Sequence, residues 1–472
     1  MFIQSEMDKI VFGTDGWRAI IAGDFSFKNL QRIAQAYADY LNASGKADKG
    51  VAVSFDTRFM SGRFATAFAE VLASNRVHTI LSTLFTPTPV LSFTVKKRNL
   101  AGGIMITASH NPYYYNGIKF KDAYGGPALP EMTRSIEEHL DETEPRHDPP
   151  LVRKYLLKDD FIPDYSSFLD SYINMPTMSG YPGRVIINPM GGAACGIFEA
   201  ILNRTGCAFS TINGRPDPYF NNRHPEPVLN NLEDLVTAVR DSDASLGFAT
   251  DGDADRFGVI DRHGQFVELH DLIPMLARHL IESRGWKGGI VRTTSMADTI
   301  DRLAAKYSLP VHEVPVGFKN VTELMIAKDI LIGGEESGGF GFKGYIPERD
   351  GILSALLTLE MLAAGNQGID ERVQALRSEF GPFAYGRMDQ YHERKVLDSN
   401  MDMIRRKPPD KIGHFKVHRF NIVDGIKFYF DDRSWMLVRV SQTEPLVRIY
   451  VGSTNRQSVN LLLKDGIKLI TR

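Results

Sequence analysis

Cysteine is nearly absent: Cys195 and Cys207 are the only two in 472 residues. Their spacing matches no metal-ligand pattern, so neither a zinc site nor a disulfide framework is expected, and a reducing compartment is. An excess of either charge is missing as well. The chain has 55 Lys plus Arg against 57 Asp plus Glu, a formal net charge of −2, and no basic run. That balance excludes the electrostatic footprint of a nucleic-acid binder. No uninterrupted apolar stretch approaches the roughly 20 residues needed to cross a bilayer. The opening Met1-Phe2-Ile3-Gln4-Ser5-Glu6 lacks the basic and apolar regions of a secretory leader. A cytoplasmic protein is expected, with neither nucleic acid nor membrane as partner; no oligomeric state is read from the sequence.

What is present is ordinary globular composition, 43% hydrophobic and 24% charged, in a chain too long for one core. Apolar β-type runs alternate with helical-period stretches through the first 370 or so residues, the pattern of α/β layers. Strands are predicted at 50–55, 79–82 and 103–106, with a helix over 63–72. The polar, Pro-bearing stretch 141–150 reads as a linker. Further strands are predicted at 184–188, 246–250, 288–293 and 330–332. Three successive segments place a strand end beside a Gly- or Asp-rich loop, which suggests a repeated architecture without marked identity between repeats. After about residue 375 the texture changes, with strands at 426–430 and 435–440, another ending at Tyr450, and a closing helix from Arg456. This tail reads as a separate α+β domain.

Five stretches carry chemistry. Thr107-Ala108-Ser109-His110-Asn111-Pro112 follows the run 103–106, so its serine sits on a turn at a strand end. Serine is a poor nucleophile without a base or metal, but once phosphorylated it carries about −1.5 to −2 charges and can act as donor. His110 could shape the turn or move a proton. Lys119 could be a surface lysine or a cation near Ser109. Asp251, Asp253 and Asp255 stand at i, i+2 and i+4 between strand-like flanks, a spacing that can converge three oxygens on Mg²⁺. An EF-hand is excluded because Arg256 and Arg262 stand where Gly and Glu are required. The competing reading is a solvated acidic hairpin turn, although three such charges need a cation or Arg256 to offset them.

Near the N-terminus, Gly13-Thr14-Asp15-Gly16-Trp17-Arg18 allows close backbone approach and offers the Arg18 fork to phosphate; a plain turn packed by Trp17 explains it equally. Gly333-Gly334-Glu335-Glu336-Ser337-Gly338-Gly339, with Lys319 upstream, can hold sugar hydroxyls or be a surface turn. In the stretch 439–448, two hydroxyls and backbone amides lie between Arg439 and Arg448, either an anion nest or an ordinary hairpin.

Taken together and in this order, these stretches resemble the α-D-phosphohexomutase superfamily of phosphoglucomutases, phosphomannomutases and phosphoglucosamine mutases. The match runs over essentially the whole chain and is most like a bacterial-type phosphoglucomutase. The expected fold class is α/β, with three related α/β domains and a C-terminal α+β domain around a central cleft. The domains are expected at 1–150 (serine loop), 151–261 (Mg²⁺ loop), 262–374 (sugar loop) and 375–472 (phosphate-holding tail). The resemblance implies that Ser109 is phosphorylated and touches the metal, that Asp251, Asp253 and Asp255 hold Mg²⁺, and that Arg256 lies near the transferring phosphate. It assigns Glu335 and Ser337 to the sugar hydroxyls, and Ser441, Thr443 and Arg448 to the non-reacting phosphate. Gln442 stands where the family usually has glycine, so it either strains the nest or adds a contact to phosphate or sugar.

The expected activity interconverts hexose 1-phosphate and hexose 6-phosphate through phospho-Ser109 and a 1,6-bisphosphate, with Mg²⁺ as cofactor and glucose 1,6-bisphosphate as activator. Lys119, with His110, would handle the proton, and Arg256 would assist charge neutralisation. Glu336 directs the expectation to glucose, since dual-specificity phosphomannomutases more often carry Met there and phosphoglucosamine mutases Gln; mannose is the alternative. A Mg²⁺-dependent sugar phosphatase and a non-catalytic sugar-phosphate sensor are the alternatives from other classes. The first would need no phosphate-holding tail, and only Gln442 hints at the second.

Overall fold

A computed structural model describes residues 10–13, 16–441 and 446–471. The chain forms two compact units. The first comprises Met1–Leu269, Met325–Ala327 and Ser337–Asp370; the second comprises His270–Leu324, Lys328–Glu336 and Glu371–Arg472.

The first unit contains a six-stranded sheet ordered Trp17–Ile20, Tyr115–Asp122, Gly102–Ile106, Val51–Phe55, Thr79–Ser82, Leu156–Asp159. The strands from Gly102–Ile106 to Leu156–Asp159 pair in parallel, while Trp17–Ile20 and Tyr115–Asp122 run antiparallel to their neighbours. Strands buried on both faces read as continuous apolar runs, and Val51, Ala52, Val53, Ile104, Met105 and Ile106 are all fully buried. Helix Phe27–Ala43 covers the sheet with Leu30, Ile33, Ala34, Tyr37 and Leu41, the i, i+3, i+4, i+7 stripe of a one-sided helix. Its start is fixed by Ser26, whose hydroxyl accepts from the Asn29 amide at 3.3 Å, satisfying one of the orphan donors of the first turn.

A second sheet in the same unit is ordered Phe257–Asp261, Ala244–Thr250, Arg184–Asn188, Phe209–Thr211. Its first two strands form an antiparallel hairpin in which Thr250 pairs with Phe257, so residues 251–256 are the connecting loop. Helix Gly351–Gly365 is buried along most of its length and packs on both hairpin strands and on helix Met175–Ser179. The side chain of Asp350 caps it, accepting from the Leu353 amide at 2.8 Å. Both cysteines are free and buried in this unit.

In the second unit, Gly289–Thr293 lies between Val311–Val314 and Ile330–Gly334, parallel to both. The tail is an antiparallel sheet ordered Ala384–Tyr391, Leu446–Ser453, Trp435–Val440, Ile426–Phe430, Phe415–Asn421, Lys411–Ile412. Helices Arg394–Arg406 and Arg456–Ile470 close its core through Leu397, Met401, Val459 and Leu462.

Two expected boundaries fall where elements continue. Leu156–Asp159, beyond residue 150, is the outer strand of the first sheet, paired with Thr79–Ser82. Helix Ile369–Phe380 runs through residue 374. The segment 262–374 is divided between the units, because helix Gly351–Gly365 packs on the hairpin of the second sheet. No single helix among the described residues is long and apolar enough to cross a membrane.

Candidate active site

Ser109 follows the buried strand Gly102–Ile106 and adopts a left-handed backbone with φ +51°, a conformation that costs a non-glycine residue about 1 kcal/mol or more. The surroundings hold it there. Its amide donates to Thr107 Oγ1 at 2.9 Å, and Thr107 donates in turn to Asp56 Oδ2 at 2.6 Å. The Arg58 guanidinium donates to four carbonyls of this loop: Ser109 at 2.6 Å, Asn111 at 2.7 Å, Pro112 at 2.8 Å and Tyr115 at 3.1 Å. Arg58 is paired with Asp56 at 3.1 Å, both side chains fully buried. One planar fork thus fixes a turn that has no regular secondary structure.

The Ser109 hydroxyl donates to Asp251 Oδ2 at 2.8 Å. Asp251, Asp253 and Asp255 are fully buried, and one oxygen from each lies within 4.8 Å of the others. Lys119, also fully buried, places Nζ 2.7 Å from both Asp253 Oδ2 and Asp255 Oδ2. Arg349 Nη2 reaches Asp255 Oδ2 at 2.7 Å, and Thr88 donates to Asp253 Oδ2 at 2.5 Å. Burial pushes the Asp251 carboxyl well up, and the neighbouring Asp253 and Asp255 charges push it further. Burial acts most strongly on Asp253 and against its ionised form, but Lys119 together with the Thr88 and Asp251 hydrogen bonds outweighs it and holds that carboxyl below the usual range.

The donor set fits a hard cation. Among the described residues Asp253 Oδ1 and Asp255 Oδ1 are buried oxygens with no hydrogen-bond partner, Arg256 lying 3.9 Å from the latter, an arrangement that is costly unless further positive charge is there. Carboxylate oxygens alone, with no sulfur or imidazole in the cluster, suit Mg²⁺. The loop is a hairpin turn, buried rather than solvated.

The remaining candidates in this unit sit around the loop. Arg18 donates to Asn111 Oδ1 at 2.6 Å, from the strand Trp17–Ile20 rather than from a turn. Arg256, 13% exposed, lies 3.5 Å from Glu226 and 3.9 Å from Asp255. His110 is half-buried beside Ser109, and Ser337 is half-buried in a turn.

In the second unit, Glu335 follows the strand Ile330–Gly334, and its Oε1 accepts from the Gly317 amide at 3.0 Å. Gly317 has φ +124°, a backbone that side chains rarely adopt. Lys319 lies half-buried in the first turn of the helix Phe318–Ala327 that begins there. Glu336 accepts from the Ser295 hydroxyl and, at 3.4 Å, from Thr293. Ser441 is buried; its amide bonds to the Leu446 carbonyl at 2.9 Å and its own carbonyl accepts from Arg394 at 2.7 Å. Arg448 is paired with Asp389 at 3.4 Å. Gln442 and Thr443 lie outside the described residues.

Sequence models of the alpha/beta/alpha domains I, II and III of phosphoglucomutase/phosphomannomutase match residues 9–147, 163–264 and 270–380. The chain belongs to the phosphoglucomutase/phosphomannomutase family. It is a phosphohexomutase, an isomerase-class phosphotransferase. A Thermus thermophilus structure assigned as a phosphomannomutase is 34% identical, with a TM-score of 0.87 over 98% of this chain and 99% of that one. A phosphoglucomutase/phosphomannomutase from Thermococcus kodakarensis is 28% identical over 98% of both chains. A "Probable phosphoglucosamine mutase" from Methanothermobacter thermautotrophicus is 30% identical over 95% of both.

Several groups in the mutase site carry no local signal in the sequence. Asp56, Arg58, Thr88 and Arg349 reach the serine and aspartate loops from distant segments. Glu348 and Asp350 flank Arg349 and anchor it: Glu348 accepts from Lys121 and from Ser92, the latter at 3.0 Å, while Asp350 accepts from Tyr165 at 2.8 Å.

Proposed function

We propose that this mutase interconverts hexose 1-phosphate and hexose 6-phosphate, with glucose the preferred hexose, through phosphorylated Ser109 and a hexose 1,6-bisphosphate. The observation that carries the reading is Ser109 Oγ 2.8 Å from Asp251, inside a buried cluster of three carboxylates and two cations. Those aspartates would hold Mg²⁺, whose chemistry is to neutralise charge gathering on the transferring oxygens. The Ser109 Oγ–P bond breaks as the sugar O–P bond forms, and the sugar hydroxyl's proton ends on the freed Ser109 oxygen. Lys119, giving a proton to that oxygen and regaining one from the hydroxyl, and His110 are our assignment for this relay. The 1,6-bisphosphate then returns its other phosphate to Ser109, and added glucose 1,6-bisphosphate serves to load an unphosphorylated enzyme. Arg256 and Arg18 supply further positive charge to phosphate. Glu335, Ser337 and Lys319 hold the sugar, and the loop from Ser441 to Arg448, with Gln442 and Thr443, holds the phosphate that does not react.

Glucose is favoured because position 336 is a carboxylate. The Ser295 hydroxyl fixes its orientation, and a fixed acceptor discriminates between hydroxyl configurations. Relatives named for glucosamine make that sugar the competing reading. Phosphorus NMR with equal glucose, mannose and glucosamine 1-phosphates, Mg²⁺ and a trace of glucose 1,6-bisphosphate tests both points. Glucose 6-phosphate should form first. Equal or faster formation of another hexose 6-phosphate would overturn the sugar, and inorganic phosphate alone would overturn the mutase reading. The Ser109→Ala protein should lose about three orders of magnitude or more in turnover.

A further inference from the structure

The two recognition elements of the second unit share one carboxylate. Asp424 lies in the turn between strands Phe415–Asn421 and Ile426–Phe430. Its Oδ1 accepts from Arg439 Nε at 2.9 Å, and its Oδ2 accepts from the backbone amide of Val316 at 2.8 Å. Both side chains are largely buried, 13% and 11% exposed. Arg439 is two residues before Ser441, at the end of the strand Trp435–Val440 that leads into the phosphate-holding loop. Val316 immediately precedes Gly317, whose amide binds Glu335. Two consecutive amides in one turn are therefore held by two carboxylates, one joined to the phosphate side and one facing the sugar.

We propose that Asp424 is a positioning residue that couples the distal-phosphate loop to the sugar carboxylate Glu335; this rests on the mutase reading above. Holding Arg439 through Nε fixes the plane of its guanidinium and so the direction of its Nη donors. Holding the Val316 amide fixes the turn at Gly317, which sets where Glu335 sits. A single side chain thus maintains the spacing between the two ends of the bound hexose phosphate, the kind of spacing on which orientation of the reacting hydroxyl depends.

The test separates the two bonds. Asp424→Asn keeps an acceptor for the Val316 amide but loses the charge on Arg439, whereas Asp424→Ala loses both. Inhibition of the phosphorylated holoenzyme by inorganic phosphate, with phospho-Ser109 already filling the transfer site, probes the distal phosphate side, and KM for glucose 1-phosphate probes both. In Asp424→Asn both constants should weaken by the same factor, about tenfold for a charge-assisted hydrogen bond. In Asp424→Ala the KM should rise by a further severalfold over the phosphate constant. Combining Glu335→Gln with Asp424→Ala should then cost less than the product of the single effects, while with Asp424→Asn the effects multiply. Melting temperatures accompany each variant, because a merely structural role would lower stability and turnover together without separating Asn from Ala. Identical effects of Asn and Ala, or unchanged constants in both, overturn the inference while leaving the mutase intact. Absence of turnover in wild type with every hexose phosphate overturns both readings.

Discussion

At the scale of single residues, the serine loop depends on a side chain buried beneath it. Arg58 makes four hydrogen bonds to loop carbonyls with one guanidinium. A lysine cannot reproduce that fork. Arg58→Lys should therefore lower kcat by about a hundredfold through misplacement of Ser109, with a smaller change in KM, as steady-state kinetics would show. Arg58→Ala should in addition lose about 3–5 kcal/mol of stability by leaving Asp56 buried and unpaired. Asp350 gives a second prediction at this scale. Burial raises its carboxyl to about 6, against the opposing Leu353 amide and Tyr165 hydroxyl. Because the folded group binds its proton more tightly than the unfolded one, its contribution is fullest below about pH 4 and is lost as pH rises through about 6. Asparagine keeps the helix cap and removes the titration. Denaturant midpoints between pH 7 and 4 should move in favour of wild type over Asp350→Asn by about 2–3 kcal/mol as pH falls; parallel curves would refute the assignment.

At the scale of elements, two loops are held in contact by the absence of a side chain. A Cβ added to Gly252 would lie 2.5 Å from the Ser109 carbonyl oxygen, so the serine and aspartate loops must separate in Gly252→Ala. Turnover should fall by about a hundredfold for a displacement of the order of an ångström, with the far-ultraviolet circular dichroism unchanged; near-normal activity would show that the approach is dispensable. The strands that carry these loops were legible in sequence because the apolar runs Gly102–Ile106 and Ala244–Thr250 are buried almost throughout. Leu156–Asp159 was not, since four residues, half-buried or exposed, carry no alternation to read. The aspartate spacing singled out a loop whose donor set fits a cation, but its burial could not be read there. Three carboxylates look solvated until Lys119, Thr88 and Arg349 arrive from elsewhere in the chain. Lys119 shows the same limit: a lysine in a strand resembles a surface residue, and only the fold reveals that its charge is wholly enclosed.

At the scale of the molecule, the cost of gathering three buried carboxylates is met in part by Lys119 and Arg349, and a bound cation would meet more of it. Among the described residues this is the one cluster of its kind. Binding to the folded state alone stabilises by about 2.7 kcal/mol at a hundred times Kd, so Mg²⁺ should raise the melting temperature measured by calorimetry. Asp253→Asn should lose that increment and the turnover with it; an equal increment in the variant would place the ion elsewhere. The division into two units sorts the chemistry as well. On the assignment proposed above, Ser109 lies in the first unit and Glu335, Ser441 and Arg448 in the second, so Ser109 variants should change chemistry and Glu335 or Arg448 variants binding.

The cysteines, scarce in sequence and enclosed in the fold, have a practical side. Burial pushes the Cys195 thiol up to about 12 and the Cys207 thiol up to about 11, so at neutral pH neither offers more than a trace of the thiolate that alkylating reagents attack. The native protein is accordingly a quiet background for thiol labelling. A single cysteine introduced at Ile422, 61% exposed at the tip of the hairpin that carries Asp424, would take a maleimide fluorophore by itself, with both natural cysteines left in place.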